Sequence, residues 1–147
     1  MKLNKIIEQL EMLAPLSYAE DFDNVGLLTG NSEQEINGIL VCHDVLENVV
    51  EEAIAKKCNL IVCFHPIIFS GLKKITGKNY VERVVIKAIK NDIAIYALHT
   101  ALDNHQNGVN KIICNQLGIK NTKILIPKEK FIRKLVTYTI LENHEEL

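Results

Sequence analysis

Three apolar, β-prone runs in this sequence each end in a histidine, at His43, His65 and His99. Asp44 follows the first of these histidines directly, and Asp103 comes four residues after the third. Imidazole nitrogens and carboxylate oxygens are the ligands that zinc, manganese or ferrous iron bind at about 2 Å. If the runs are neighbouring parallel strands, the five side chains meet at the carboxyl edge of one sheet, where ligands gather in open α/β folds. The spacing therefore indicates a divalent-metal site.

The histidines and carboxylates leave several roles open. A single histidine at a strand end is more often an ordinary polar residue than a ligand, so the hypothesis depends on three equivalent positions. Among them, His99 is a candidate for proton transfer, and the role of orienting the ligands is open to His99 or Asp44. A second polar cluster, Asp23 and Asn24, either orients a ligand or stabilises its own turn, since Asx residues before glycine commonly do the latter. Both interpretations of this cluster have equal weight.

The elements that must position these residues follow from the hydrophobic pattern. Continuous apolar runs of this kind are typical of strands buried on both faces of a parallel sheet. The predicted strands are 38–42, 59–64, 93–98 and 122–126, with an edge strand within 21–30. The predicted helices are 3–13, 44–57, 79–91 and 109–117. Alternation of strands and helices predicts an α/β domain with a mainly parallel sheet flanked by helices.

Composition sets the outer limits. The chain has 147 residues, 48% of them hydrophobic, and a formal net charge of −1, which suits one domain with a substantial core. The N-terminus does not resemble a signal peptide, and no apolar run approaches the ~20 residues of a membrane span. We therefore expect a cytoplasmic protein with no membrane partner. The four cysteines form no C-x-x-C pair and are expected to be reduced core thiols.

A basic, glycine-bounded loop covers residues 70–78. Its lysines and amides could cradle a phosphate, although the order of residues is not that of a P-loop. A solvated surface loop is the favoured interpretation. Binding of nucleic acid through Lys73, Lys74 and Lys78 has little support, because the net charge is near neutral and no aromatic residues are interleaved.

The C-terminal residues predict the beginning of a second domain. Residues 133–141 form a further strand pattern, and Asn143 with Glu146 has the spacing of a helix-starting capping box. We expect an α/β metal-site domain over 1–130 and the start of a truncated α+β domain over 131–147. A frayed polar tail is the alternative.

Three segments together resemble a known family. They are 21–27 (DFDNVGL), 59–69 (NLIVCFHPIIF) and 95–103 (IYALHTALD). The combination is similar to the GTP cyclohydrolase 1 type 2-like family, dinuclear-metal proteins also called NGG-interacting-factor-like. The resemblance runs through nearly the whole chain. It implies a cytoplasmic α/β protein that assembles as a toroidal homohexamer with paired metal ions, and for some members a reaction that opens the ring of GTP.

The resemblance also implies roles for particular residues. His65 matches the second histidine of the family's His-His-Pro motif, and Asp103 matches the aspartate of its His-x-x-x-Asp motif, both metal ligands, with His99 at the head of the latter motif. Phe64 replaces the first histidine of His-His-Pro and cannot bind metal. The family's remaining ligand pair, His-x-x-x-Glu, has no counterpart among these residues.

Two functions of different classes therefore stay open. The first is a metal-dependent hydrolase acting on a nucleotide or related small molecule, with a zinc, iron or manganese ion held by His65 and Asp103 and with His99 catalytic. The second is a non-catalytic oligomeric scaffold or binding module whose metal site is degenerate at Phe64.

Overall fold

The computed structural model describes residues 1–127. Its strands are β1 (Gly26–Thr29), β2 (Ile39–Cys42), β3 (Leu60–Cys63) and β4 (Ala94–Ala97). Its helices are α1 (Leu3–Leu13), α2 (Glu47–Ala55), α3 (Tyr80–Lys90), α4 (His99–Asp103) and α5 (Val109–Gln116), with a 3-10 turn at Leu16–Tyr18. The α/β class is confirmed.

The four strands form one sheet in the order β1-β4-β3-β2. Strands β2, β3 and β4 are parallel, with Cys42 opposite Cys63 and Cys63 opposite Ala97. Strand β1 runs antiparallel to β4 and places Gly26 opposite Ala97. The sheet is therefore mainly parallel, as predicted, and the start of β1 lies at the same edge as the ends of the other three strands.

Helices cover both faces of the sheet. Alternate residues of a strand point to opposite faces, so Ile61 packs with one cluster and Leu60 with the other. Helices α2 and α3 contribute Val50, Ala53, Val84 and Ala88 to the first cluster. Helix α1 covers the second cluster, in which Leu3 packs with Leu60, Val62, Ala94 and Tyr96. Full burial of side chains of this size stabilises a fold by roughly 1.5–3 kcal/mol each.

Strand β2 differs from the prediction. The apolar run at 38–42 predicts burial on both faces, yet Ile39 is 45% exposed and Val41 is 77% exposed. The physical reason is coverage, because one helix is only about 10 Å wide and covers about two strands spaced ~4.8 Å apart. Helix α1 lies over β3 and β4, and β2 at the sheet edge is left uncovered on that face.

Three other expectations change. Residues 122–126 are not a strand; Leu125 and Ile126 are 92% and 81% exposed, and no neighbouring strand of the described chain pairs with them. Helix α2 begins at Glu47 rather than at residue 44, which leaves Asp44 in the turn after β2. Helix α4 was not predicted. The strand expected over 133–141 and the capping box at Asn143 lie outside the described residues, as does the second domain.

Within residues 1–127, no helix is both long and apolar enough to cross a membrane.

Candidate metal centre

Backbone hydrogen bonds carry the parallel register beyond the ends of the strands. The amide of His65 donates to the carbonyl of His43 over 3.0 Å, and the amide of His99 donates to the carbonyl of Phe64 over 2.9 Å. The three histidines are therefore fixed side by side. Their ring centroids are 4.4 Å apart for His43 and His65 and 5.3 Å apart for His65 and His99. The sheet edge brings together the imidazoles that the sequence placed at equivalent strand ends.

His43, Asp44 and His65 form the one group of three metal-ligating side chains of this tightness found among residues 1–127. One ligand atom from each lies within 4.8 Å of the others. Two ligands of one ion at about 2 Å are at most ~4 Å apart, so small side-chain adjustments would let the group bind a single ion. All three side chains are at least 44% exposed, which leaves the group open to solvent.

Asp44 links the two imidazoles. One carboxylate oxygen lies 3.0 Å from Nδ1 of His43, and the other lies 2.8 Å from Nδ1 of His65. These two hydrogen bonds lower the pKa of Asp44 below its usual value. A carboxylate that accepts from Nδ1 orients an imidazole so that Nε2 is free for a metal, as is common around zinc. Asp44 can therefore serve as a ligand or as the residue that orients two ligands.

Phe64 lies among the histidines. Its ring stacks on His43 with centroids 5.2 Å apart and meets the ring of His99 edge-on at 5.5 Å. It contributes no ligand atom. The nearest imidazole is that of His65, with ring centroids 5.0 Å apart, and the imidazole that stacks on Phe64 is that of His43. This neighbour supplies a nitrogen donor at the strand end adjacent to the position where the family's motif has its first histidine.

A second constellation joins His99 to the segment before β1. Nδ1 of His99 lies 2.9 Å from each carboxylate oxygen of Asp23, whose side chain is fully buried. The amide and the hydroxyl of Thr100 also donate to Asp23. Burial raises the pKa of Asp23, but hydrogen bonds from Thr100, His99 and the backbone outweigh it, and the net pKa is lowered. A buried, ionised carboxylate therefore fixes the His99 ring.

The backbone at His99 is strained. Its φ is +28°, in a region that non-glycine residues rarely adopt. Such a conformation persists only where the surroundings hold it. Here two hydrogen bonds hold it: the amide of His99 donates to the carbonyl of Phe64, and its side chain bonds the carboxylate of Asp23. The strain supports a functional role for His99.

Asp103 ends α4 on the same side of the sheet and is half-buried. The net pKa of Asp103 is raised. Burial is the largest cause and nearby Asp23 adds to it, while His99 and His65 act in the opposite direction. Asp103 thus shares one electrostatic environment with His65 and His99. It does not belong to the tight group of three, so the structure places the two expected ligands, His65 and Asp103, in the same region but not in one cluster.

The sequence counts His43 among the candidate ligands at the strand ends, but the resemblance gives it no role of its own. Its available signal is its position at the end of an apolar run, directly before Asp44. For Asp23 an orienting role is one of two open interpretations, and its hydrogen bond to His99 favours that one. The sequence signal for the contact between Asp23 and His99 is the predicted edge strand within 21–30. Antiparallel pairing of that strand with β4 brings the residues before Gly26 to the histidine edge.

The basic loop and the cysteines stay outside the centre. The amides of Thr76 and Lys78 donate to the carboxylate of Glu82. The protein's own anion therefore occupies backbone donors that a phosphate would need. Burial raises the pKa of Cys63 to about 12 and, together with nearby Asp44, the pKa of Cys42 to about 11. Both behave as protonated core thiols, and all four cysteines are free.

Fold and site together define an α/β protein with a histidine- and aspartate-lined edge beside a mainly parallel sheet. Residues 1–145 match the family model described as Duf34/NIF3 (NGG1p interacting factor 3). The chain belongs to this family.

Relatives and solved structures agree with the assignment. A GTP cyclohydrolase 1 type 2 homolog of Clostridium acetobutylicum is 35% identical over all of this chain and 55% of that protein. NIF3-like protein 1 of Drosophila melanogaster is 42% identical over 86% of this chain and 44% of that protein. A Bacillus cereus protein related to NIF3 superposes with a TM-score of 0.81 at 38% identity, over 88% of this chain and 35% of that one. The chain thus spans about half the length, or less, of these relatives.

Proposed function

We propose that this protein binds a divalent metal ion at the edge formed by His43, Asp44 and His65 and uses it to hydrolyse a nucleotide or a related small molecule. The observation that carries the proposal is the tight group of two imidazoles and one carboxylate. His65 is its central ligand, because it belongs both to this group and to the ligand pair, His65 and Asp103, implied by the resemblance. The donor set of nitrogen and carboxylate oxygen suits zinc, iron or manganese.

Each residue has a role in this proposal. His43 and His65 hold the ion through nitrogen, Asp44 binds it or orients both rings, and Asp103 is a further ligand from α4. When bound, a divalent ion supplies positive charge that polarises an oxygen atom of water or substrate. Asp23 accepts a hydrogen bond from Nδ1–H of His99, which leaves Nε2 of His99 as the nitrogen that takes a proton from the attacking water. Asp23 is a positioning residue for that step.

The substrate class follows from the relatives' names. Several relatives carry the name GTP cyclohydrolase 1 type 2 homolog, and the proposed substrate is therefore a nucleotide such as GTP. The relevant chemistry is attack of water on the purine ring or on a phosphate ester.

Product formation from GTP in the presence of zinc, manganese or ferrous iron tests the proposal. We expect turnover that chelation abolishes, and a rate about 10²–10⁴-fold lower for His99→Ala, the usual contribution of a general base. Asp23→Asn should lower kcat with little change in KM, because its hydrogen bond to His99 orients the base. The matched control is His105→Ala, since His105 stacks on Tyr18 and has no part in the proposed site. Equal rates for His99→Ala and wild type would contradict the proposed role.

A non-catalytic scaffold is the second candidate, and Phe64 is the observation that favours it. An aromatic ring stands where the family's motif has a ligand, between the imidazoles of His43 and His99. A protein that binds metal stoichiometrically but converts no nucleotide would support the scaffold over the hydrolase.

A further inference from the structure

We propose that Phe22 and Phe69 form a stacking subsite for the planar ring of a nucleotide beside the metal centre. The inference rests on the proposed function for its substrate class and adds the residues that would hold the ring. Phe22 is 68% exposed and Phe69 is 51% exposed, and their ring centroids lie 6.5 Å apart at an angle of 54°. Phe69 also meets the ring of His99 edge-on at 6.4 Å.

Ring contacts connect this aromatic pair to the metal-binding group. Phe69 contacts His99, His99 contacts His65, and His65 contacts His43. Phe69 is therefore two ring contacts from His65, the imidazole proposed as the central metal ligand, and a ligand ring packed on Phe69 is three contacts from it. The two steps between ring centroids measure 6.4 Å and 5.3 Å, so one nucleotide can reach from the aromatic pair to the metal-binding group.

Hydrogen bonds on either side of Phe22 hold its segment in place. The amide of Glu20 donates to the hydroxyl of Thr100 over 3.0 Å, and buried Asp23 bonds His99 and Thr100. The side-chain amide of Asn24 donates to the carbonyl of Ile68 over 2.5 Å, next to Phe69. Both rings are thus exposed on a backbone that is fixed before any ligand arrives, and a preorganised aromatic surface binds with little loss of entropy.

The loop that follows Phe69 carries two lysines that can pair with an anionic substituent on the ring-bearing ligand. Lys73 and Lys74 follow Phe69 in the basic loop, and no ion pair involves either of them within residues 1–127. The Glu82 carboxylate accepts hydrogen bonds from the amides of Thr76 and Lys78 in this loop, but not from the ammonium groups of Lys73 and Lys74. Aromatic faces, lysines and a metal edge together match a purine nucleotide better than an uncharged apolar partner.

The test measures binding to the whole chain after metal has been removed with a chelator, so that it does not depend on the metal. Calorimetry would compare GTP and ATP with inorganic triphosphate, which has the charge but no ring. We expect wild type to bind at least one of the two nucleotides at least about fivefold more tightly than triphosphate, because aromatic stacking on a base is worth ~1–3 kcal/mol. Phe22→Leu and Phe69→Leu should each weaken that nucleotide at least about fivefold and leave triphosphate unchanged.

Controls separate ring stacking from a general loss of structure or of apolar surface. Phe22→Tyr keeps an aromatic face and should bind as wild type does, and Val41→Ala removes apolar surface from the distant β2 edge and should have no effect. Circular dichroism verifies that each variant is folded. Unchanged nucleotide affinity in both leucine variants, or no nucleotide binding by wild type, would overturn the inference. A change of oligomeric state in those variants without a change in nucleotide affinity would overturn it as well and assign the rings to an interface.

Metal content measured on the same samples distinguishes the two proposals. Leucine variants that lose nucleotide affinity but retain metal support the subsite and leave the metal centre intact. A wild-type chain that stacks nucleotides yet binds no metal would remove the proposed function and keep the subsite.

Discussion

At the scale of single residues, the candidate centre combines exposed ligands with a buried support. His43, Asp44 and His65 face solvent, whereas the Asp23 carboxylate is completely buried against His99. This difference suits the roles proposed for them. A metal ion must reach its ligands from water, while a residue that orients a base works best where its hydrogen bonds are shielded from competing solvent.

Tyr96 gives a prediction outside the centre. It is fully buried in β4, and its hydroxyl has no hydrogen-bond partner within residues 1–127. Burial and nearby Glu11 raise its pKa to about 12. Because an unsatisfied buried hydroxyl costs about 1–3 kcal/mol, Tyr96→Phe should raise the free energy of unfolding by about 1 kcal/mol in urea denaturation. Tyr80→Phe, at a residue 51% exposed, is the control and should change little. A less stable Tyr96→Phe protein would show that the hydroxyl is satisfied.

At the scale of elements, α3 is anchored by a reciprocal cap. The side chain of Asn79 accepts from the amide of Glu82, and the Glu82 carboxylate accepts from Asn79, Thr76 and Lys78. The cap ties the basic loop to the first turn of the helix. Asn79 and Glu82 have the spacing of a capping box, and the helix predicted over 79–91 begins at this cap.

This cap predicts how stability depends on pH. Hydrogen bonds from the Thr76 and Lys78 amides and the Thr76 hydroxyl lower the pKa of Glu82 below its ordinary value of 4.5. A depressed pKa in the folded state means that this stabilisation is complete above about pH 4.5 and is lost as pH falls through the folded-state pKa. Glu82→Gln should therefore flatten the loss of stability below about pH 4.5, measured as the thermal midpoint against pH. Glu11→Gln, at an exposed position, should keep the wild-type profile; parallel profiles for all three proteins would refute the assignment.

The junction of α4 and α5 depends on a glycine. A Cβ at Gly108 would lie 1.8 Å from the carbonyl oxygen of Leu102, closer than any real contact. Because backbone would have to move, Gly108→Ala should destabilise the fold by about 2 kcal/mol or more in urea denaturation. Gly71→Ala is the matched control, since a Cβ there would meet nothing within 4 Å. Equal stability of the two variants would contradict the need for glycine at this junction.

The strand ends could be predicted because each apolar run is continuous and stops at a histidine. The pairing of His99 with Asp23 could not, because it depends on β1 joining β4 across about seventy residues. The exposed face of β2 was missed for a similar reason, because the apolar side chains of Ile39 and Val41 do not reveal in the sequence whether a helix covers them. Residues 122–126 have the composition of a strand, but no neighbour within residues 1–127 pairs with them to make them one.

At the scale of the whole molecule, the chain is an α/β unit of the Duf34/NIF3 family that spans about half the length of its relatives or less. Self-association into a homohexamer is a proposal from the resemblance, and exposed apolar residues on β2 are a surface that association commonly buries. Light scattering should give six times the chain mass of 16.6 kDa. A monomer at all concentrations tested would contradict it.

The most direct test of the metal centre is elemental analysis of the purified, dialysed chain after loading with zinc, manganese or ferrous iron. We expect about one ion per chain in wild type and in His105→Ala, since a single set of three or four ligands binds one ion. His65→Ala should bind none, because His65 belongs both to the group with His43 and Asp44 and to the pair with Asp103. Loss of metal in His43→Ala would assign the ion to the group, and loss of metal in Asp103→Ala would assign it to the pair. Metal retained in a folded His65→Ala protein, or a folded wild-type chain that binds no metal, would contradict the proposed metal centre.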